Sequence, residues 1–159
     1  MVIWLAPKTE LYYFAERQLS PLFVTIHDEK VDDSALSLKV SDATIYYQDL
    51  VALTFTQFTL TSALFFNRVD VRDIRVGEDL KSFLPPKIAF INARHTLLDP
   101  THIILSGEGD FGSFGGTVDL IERHLIVDFK FSATMNRKYR AFLKMLKKTK
   151  EGYRYEKRF

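Results

Sequence analysis

Val51-Ala-Leu-Thr-Phe-Thr56 places its three large apolar residues at every second position. Successive side chains of a strand point to opposite faces, so this period of two predicts a β-strand with one apolar face. The alternation recurs across residues 22–132, for example in Leu36-Ser-Leu-Lys-Val-Ser41, and short turns separate the segments. We therefore expect an antiparallel β meander of about eight strands.

The alternation changes phase several times within this region. It shifts at Ser41-Asp42, between Phe55 and Phe58, and between Val71 and Ile74. Such shifts indicate β-bulges, and repeated bulges bend a sheet. The predicted sheet is therefore strongly curved, like a taco or a half-barrel.

Two amphipathic helices are predicted beside the sheet, over residues 8–20 and 133–148. The second helix should pack on the concave face of the sheet through an apolar row at helical spacing. That row consists of Met135, Tyr139, Phe142, Leu143 and Leu146. A final strand follows over 152–159, and the whole chain, 1–159, is predicted to be a single β-rich α+β domain.

Positive charge is concentrated at the C-terminus. Residues 132–159 hold ten of the 22 Lys and Arg and two of the 20 Asp and Glu, a net charge of +8 that leaves −6 for the rest. The predicted helix turns its cations away from its apolar row, and they form a candidate docking face: Arg137, Arg140, Lys144, Lys147 and Lys148. Such a face fits an acidic protein surface or anionic lipid headgroups, or it is simply solvated. Nucleic acid is disfavoured, because the nearby aromatic residues lie in the apolar row and not among the charges.

The sequence predicts no catalytic site, no metal site and no cofactor. Absence of Cys excludes a thiol nucleophile and a zinc knuckle. If the register places His95 and His102 opposite each other across the Asp99-Pro100 turn, they supply at most two metal ligands. The acidic residues within 28–33 lack the glycine turn of a calcium loop, so a solvated loop is expected there. The chain is therefore predicted not to be an enzyme.

Five of the seven glycines lie within residues 107–116. Gly107-Glu-Gly-Asp-Phe-Gly112 superficially matches a phosphate-binding loop, but that loop needs a helix after the glycines and here a strand follows. We interpret these glycines as positions that permit bulges, sharp bending or the close approach of other groups.

The N-terminal residues 1–7 are apolar up to Pro7-Lys8 and contain Trp4. An aromatic residue followed by a charge is typical of the end of a membrane segment. The segment is the remnant of a membrane anchor, a first strand or simply a ragged start.

The chain resembles the type II secretion system protein N family, the related AsmA-like periplasmic proteins and, more distantly, the bridge proteins of lipopolysaccharide transport. The resemblance covers most of the chain and is best over about residues 105–155. It is carried by Gly109-Asp-Phe-Gly112, Gly115-Gly-Thr-Val-Asp-Leu120, Arg123-His-Leu-Ile-Val127 and Gly152-Tyr-Arg-Tyr155. It implies an inner-membrane anchor, a periplasmic β-rich body folded around an apolar groove, and no catalytic residues.

These observations lead to two functional hypotheses. The first is a membrane-tethered periplasmic scaffold of an envelope secretion or transport system, which presents sheet edges and the basic face to envelope proteins or anionic headgroups. The second is a carrier that holds a lipid or another apolar ligand in the groove. An elongated apolar cavity favours the carrier, and a solid core favours the scaffold.

Overall fold

The computed structural model describes residues 13, 17, 24–27, 30–34, 36–48, 50–63, 65–82 and 84–159. Within them, eleven strands form one antiparallel sheet. In chain order the strands are β1 (Val24–His27), β2 (Lys30–Asp33), β3 (Ser37–Tyr47), β4 (Leu50–Ala63), β5 (Phe66–Val76), β6 (Lys87–Thr96), β7 (Asp99–Gly109), β8 (Gly112–Asp119), β9 (His124–Phe131), β10 (Lys147–Lys148) and β11 (Tyr153–Arg158). A 3-10 turn, Glu78–Leu80, precedes β6, and two short helices, α1 (Ala133–Lys138) and α2 (Arg140–Leu143), separate β9 from β10.

The expected antiparallel meander is confirmed. The spatial order is β1-β3-β4-β5-β6-β7-β8-β9-β11-β10, and β2 pairs with β3 beside β1. The expected number of strands was too low, because the short edge strands β2 and β10 contain hardly any large apolar residues. In particular, Lys30–Asp33 lies in β2 and not in the solvated loop expected over 28–33; Asp28 and Glu29 fall outside the described residues.

The single helix predicted over 133–148 is wrong. Ser132 caps α1 through a hydrogen bond that its hydroxyl accepts from the Met135 N–H, but Tyr139 has φ −111° and ψ 42°, which interrupts the helix after one and a half turns. Beyond α2, Lys147 and Lys148 pair with Arg154 and Tyr153 of β11. Short helices followed by a hairpin satisfy the same apolar spacing, so the pattern alone could not distinguish them.

The sheet has one apolar and one polar face, as cross-strand registers show. One apolar ladder runs through Val40, Phe58, Val71, Ile91, Gly107, Phe114, Phe129 and Tyr153. A second runs through Leu38, Leu60, Val69, Ala93, Leu105, Gly116, Val127 and Tyr155. The ladder between them, whose side chains point to the other face, reads Lys39, Thr59, Asp70, Asn92, Ser106, Gly115, Asp128 and Arg154.

An irregular line crosses four neighbouring strands at Asp42, Thr56, Asp73 and Ala89, and we call it the crease. The cross-strand registers omit each of these four positions. Asp42 and Asp73 have positive φ values of 56° and 51°, and β6 carries a register shift between Ile88 and Phe90. The crease accounts for the phase shifts expected at Ser41-Asp42, after Phe55 and after Val71, because a left-handed residue or a bulge turns the following side chains to the opposite face.

Two small clusters form the core among the described residues. The first centres on Leu38, Val40 and Ala43, which are at most 1% exposed. The second centres on Phe111, Met135 and Tyr139, where α1 meets the sheet. The helix predicted over 8–20 lies almost wholly outside the described residues. Within that range the structure describes Tyr13 and Arg17 alone, and both are helical.

Candidate functional site: an apolar sheet face

In the part of the chain that the structure describes, the apolar face of the sheet is broad and only partly covered. Along the two apolar ladders, Leu38, Val40, Gly107 and Val127 are buried, while the residues of β5 and β6 in both ladders are only half-buried. A stable core would bury such large side chains almost completely. Half-exposed apolar side chains in continuous rows form a surface suited to an apolar ligand or partner.

One end of this face forms an apolar cavity of about 260 Å³. Its walls come from five sheet strands, the loop before β6, the turn between β7 and β8, and the two short helices. Apolar side chains make up the lining: Leu53, Val76, Leu84, Pro85, Ile88, Phe111, Phe114, Phe129, Phe131, Met135 and Phe142. A cavity with only apolar walls stays dry and favours apolar ligands.

A chain of aromatic rings forms one wall of the cavity. Phe129 and Phe131 stack with ring centroids 5.1 Å apart, and Phe131 continues to Phe142 at 6.2 Å and to Tyr153 at 5.4 Å. Pairs at these distances pack favourably beyond the area they bury. The wall is therefore held in place by strands β9 and β11 together with α2.

Gly107 makes room for the ring of Phe114, which extends this wall because it lies 5.7 Å from the ring of Phe129. A Cβ at Gly107 would come within 2.3 Å of the Phe114 ring and 2.9 Å of the Phe90 carbonyl oxygen. By contrast, a Cβ at Gly115 on the polar face would meet nothing closer than 4.0 Å. The close approach expected for these glycines is thus present at Gly107, where the ring of Phe114 lies over the backbone.

The structure places the predicted apolar row where α1 and α2 contact the sheet. Met135, Tyr139 and Leu143 are 1%, 5% and 8% exposed, and Phe142 and Leu146 are half-buried. Met135 and Tyr139 pack with Phe111, and Phe142 packs against them. The row belongs to two short helices and the turn after them, and it closes one end of the apolar face.

The five cations of the candidate docking face do not lie along one side of a single helix. Arg137 lies on α1, Arg140 on α2 and Lys144 just after it, whereas Lys147 and Lys148 lie on the edge strand β10. All five side chains are exposed. The break at Tyr139 and the strand β10 distribute these cations over a helical segment and a sheet edge.

The polar face contains ion pairs and hydrogen bonds. Arg68 contacts Asp70 at 2.7 Å, and the Asn92 side-chain amide donates to Asp70 at 2.8 Å. Arg154 holds Asp128 through hydrogen bonds of 2.7 and 2.9 Å, and this contact lowers the pKa of Asp128. Within the described part of the chain, no group of three or more His, Asp and Glu side chains is arranged to hold a metal ion.

Sequence reasoning missed a histidine between two carboxylates. His102 Nδ1 lies 2.8 Å from Asp99 Oδ1, and its Nε2 lies 3.5 Å from Asp119 Oδ2. The hydrogen bond with Asp99 is the main cause that raises the pKa of His102. His95 instead contacts the Pro100 carbonyl oxygen at 3.1 Å, and the register does not place His95 opposite His102. The β6–β7 register explains why, because it places His95 opposite Ile103.

Comparison with known protein families, with curated proteins and with solved structures finds no match. Among the helices in the described part of the chain, none is long and apolar enough to cross a membrane.

Proposed function

We propose that this protein is an envelope carrier that holds an acyl chain or a similar apolar ligand against the apolar face of its sheet. The observation that supports the proposal most strongly is the pair of incompletely buried apolar ladders that cross eight strands and lead into an all-apolar cavity. The carrier hypothesis expects such a groove, whereas a purely structural scaffold has no need of one.

In the proposed carrier the sheet curls so that its apolar face lies on the inside. Leu53 of β4 and Phe129 of β9 line the same cavity. Five strand spacings separate β4 from β9, about 24 Å in a flat sheet. A cavity of about 260 Å³ reaches both strands more readily if the sheet bends. The crease at Asp42, Thr56, Asp73 and Ala89 supplies a place for that bend.

The size and chemistry of the cavity favour a slender ligand. Its volume of about 260 Å³ lies just under the range of roughly 300–1,000 Å³ of typical small-molecule sites. The walls offer dispersion contacts and no charge, so they suit a hydrocarbon chain whose polar end remains outside. The ladders extend this surface beyond the cavity along the sheet.

A titration with a fluorescent fatty acid tests the proposal. Ala93→Gln places a long polar side chain on the apolar face beside Leu105, and Arg94→Gln places the same residue on the polar face. We expect Ala93→Gln to weaken binding by about tenfold, because apolar contact is replaced by an amide. Arg94→Gln should bind like the unchanged protein.

Native mass spectrometry of the purified protein provides the independent readout. Retention of a lipid mass that oleate displaces supports the carrier function. Equal binding by the two Gln variants, with both folded by circular dichroism, would contradict the site assignment.

The scaffold function is the second candidate, and the edge at β11 favours it. Residues 155–158 of β11 pair with β9 on one side, but β10 reaches only Tyr153 and Arg154 on the other, so among the described residues no strand covers that second edge of 155–158. An extended segment of an envelope protein could pair there, beside the cations Lys147 and Lys148. A Lys147→Glu/Lys148→Glu variant that loses an acidic protein partner in cross-linking, yet keeps fatty-acid binding, would support the scaffold in addition to the carrier.

A further inference from the structure

Eight exposed apolar residues lie at one end of the sheet, and we call them the tip row. They are Leu36, Phe65, Phe66, Leu97, Leu98, Leu120, Ile121 and Phe159. The turns that join β4 to β5, β6 to β7 and β8 to β9 all lie at this end, because alternate connections of a meander fall on the same side. Leu98 is 97% exposed and Ile121 is 71% exposed.

Backbone hydrogen bonds hold neighbouring tips together. The Leu97 N–H donates to the Phe65 carbonyl at 2.9 Å, which joins two successive hairpins. The Leu120 N–H donates to Thr101, and the Phe159 N–H donates to Arg123 at 3.0 Å. These bonds give the tip row a fixed arrangement, so its apolar side chains are presented together.

We propose that the tip row inserts into the surface of a lipid bilayer. A side chain that is 97% exposed, as Leu98 is, stands clear of the protein. A protein partner would need a complementary trough around each such tip, whereas fluid acyl chains surround it without one. Burial of each large apolar side chain is favourable in an apolar medium.

The size of the row argues against a second copy as the occupant. Stable dimers bury about 800 Å² and about 20–30 residues on each partner. The tip row offers eight residues in separate groups, with charged residues such as Asp99 and Glu122 between or beside them. This is too narrow for a stable protein interface, but it suffices for shallow insertion.

The charges at this end also suit a membrane surface. Arg123 lies over the Phe159 ring at 6.0 Å, and Lys157 and Arg158 precede that residue. In the described part of the chain no ion pair uses these three cations, while Asp99 and Asp119 contact His102 and Glu156 contacts His124. Of the carboxylates beside the turns that join β6 to β7 and β8 to β9, Glu122 has no ion pair among the described residues. The cations are therefore free to meet lipid phosphates.

Single-cysteine labelling tests the insertion directly, because the chain contains no Cys. An environment-sensitive fluorophore is attached to Leu98→Cys, Ile121→Cys or Met145→Cys in the full chain. Met145 is 69% exposed but lies beyond α2, away from the tips, so it is matched to Ile121 in exposure. With vesicles of phosphatidylcholine and phosphatidylglycerol, we expect a blue shift at positions 98 and 121 and none at 145.

Vesicle flotation supplies the second measurement. The variant Leu98→Ser/Ile121→Ser should partition into the vesicles at least about tenfold less than the unchanged protein, and Met145→Ser should not differ from it. The replaced side chains are exposed, so melting curves should be unchanged. The inference stands independently of the carrier function, since fatty-acid binding by the Ser variant is expected to be normal. Equal fluorescence shifts at all three labelled positions would overturn the insertion of the tip row. So would blue shifts at positions 98 and 121 that appear without vesicles when the protein concentration is raised.

Discussion

The Thr56 hydroxyl donates a hydrogen bond of 3.2 Å to the carboxylate of Asp73, and so joins β4 to β5 at the crease. Asp73 has a positive φ of 51°, and both residues are omitted from the regular register of these strands. The contact therefore lies where the sheet changes the direction of its side chains. A short polar residue suits this position, because Asp tolerates the left-handed conformation and β-branched residues do not.

The crease predicts how substitutions at Asp73 behave. Asp73→Val should reduce the free energy of unfolding by about 1–3 kcal/mol, because a β-branched side chain is strained at positive φ. Asp73→Gly removes that strain and should lie much closer to the unchanged protein. Arg75→Val is the control, since Arg75 is exposed on the same strand and keeps its register with Thr54. Urea denaturation measures the free energy of unfolding of all three variants. Equal losses in Asp73→Val and Arg75→Val would contradict a left-handed backbone conformation at Asp73.

The backbone approach at Gly107 gives a second prediction. Gly107→Ala should destabilise the protein by about 1–3 kcal/mol, because its Cβ would overlap the Phe114 ring and crowd the Phe90 carbonyl. Gly115→Ala has open space and should change stability by less than about 0.5 kcal/mol. Equal melting temperatures of Gly107→Ala and Gly115→Ala would contradict the close packing of Phe114 over the Gly107 backbone.

The contact of the short helices with the sheet predicts the cost of truncating Met135. Met135 is 1% exposed and packs in the cluster with Phe111 and Tyr139. Met135→Ala should therefore lower the free energy of unfolding by about 2–5 kcal/mol. Met145→Ala, at a position that is 69% exposed, should have little effect. A Met135→Ala variant that unfolds at the same urea concentration as the unchanged protein would show that α1 contributes nothing to the core.

The environment of His102 gives a prediction on pH. The hydrogen bond with Asp99 raises the pKa of His102, and the pKa of Asp99 is lowered in return. His102 therefore contributes stability below its ordinary pKa, and this contribution is lost as the pH rises through the raised value. Asp99 contributes stability above its ordinary pKa that is lost as the pH falls through the lowered value.

An NMR titration of the His102 ring checks this account. Its midpoint should lie above the ordinary histidine value and should fall in Asp99→Asn, where the carboxylate charge is gone. Asp119→Asn should have a smaller effect, because Asp119 lies farther from His102, at 3.5 Å against 2.8 Å. A midpoint that does not move in Asp99→Asn would show that the pair is not formed in solution.

The antiparallel meander could be predicted because alternation is a local property of each strand. The phase shifts at Asp42 and Asp73 could also be predicted from the sequence, but their cause could not. Both residues have a positive φ, and no bulge lies there; the register shift of β3 falls between Ile45 and Tyr46 instead. The interruption of the helix at Tyr139 could not be predicted from the sequence. The apolar spacing of 133–148 suits a continuous helix and carries no information about the β hairpin that starts at Lys147.

The candidate site was predictable only in part. Met135 and Tyr139 were assigned to the apolar groove or core from their spacing, but the cavity also needs Leu53, Phe114 and Phe129 from distant parts of the chain. Their convergence depends on the register of several strands and on the bending of the sheet. The pairing of His102 with Asp119 likewise depends on the β7–β8 register, which no short-range pattern fixes.

Protection of engineered cysteines tests the carrier proposal most directly. Ile91 and Asn92 are adjacent on β6 and both half-buried, but they belong to the apolar and the polar ladder respectively. In a chain without native Cys, Ile91→Cys and Asn92→Cys report on the two faces separately. The account predicts that saturating oleate slows maleimide labelling of the cysteine at position 91 and leaves position 92 unchanged. Labelling that oleate does not slow at position 91, or slows equally at both positions, would contradict an apolar ligand held on this face.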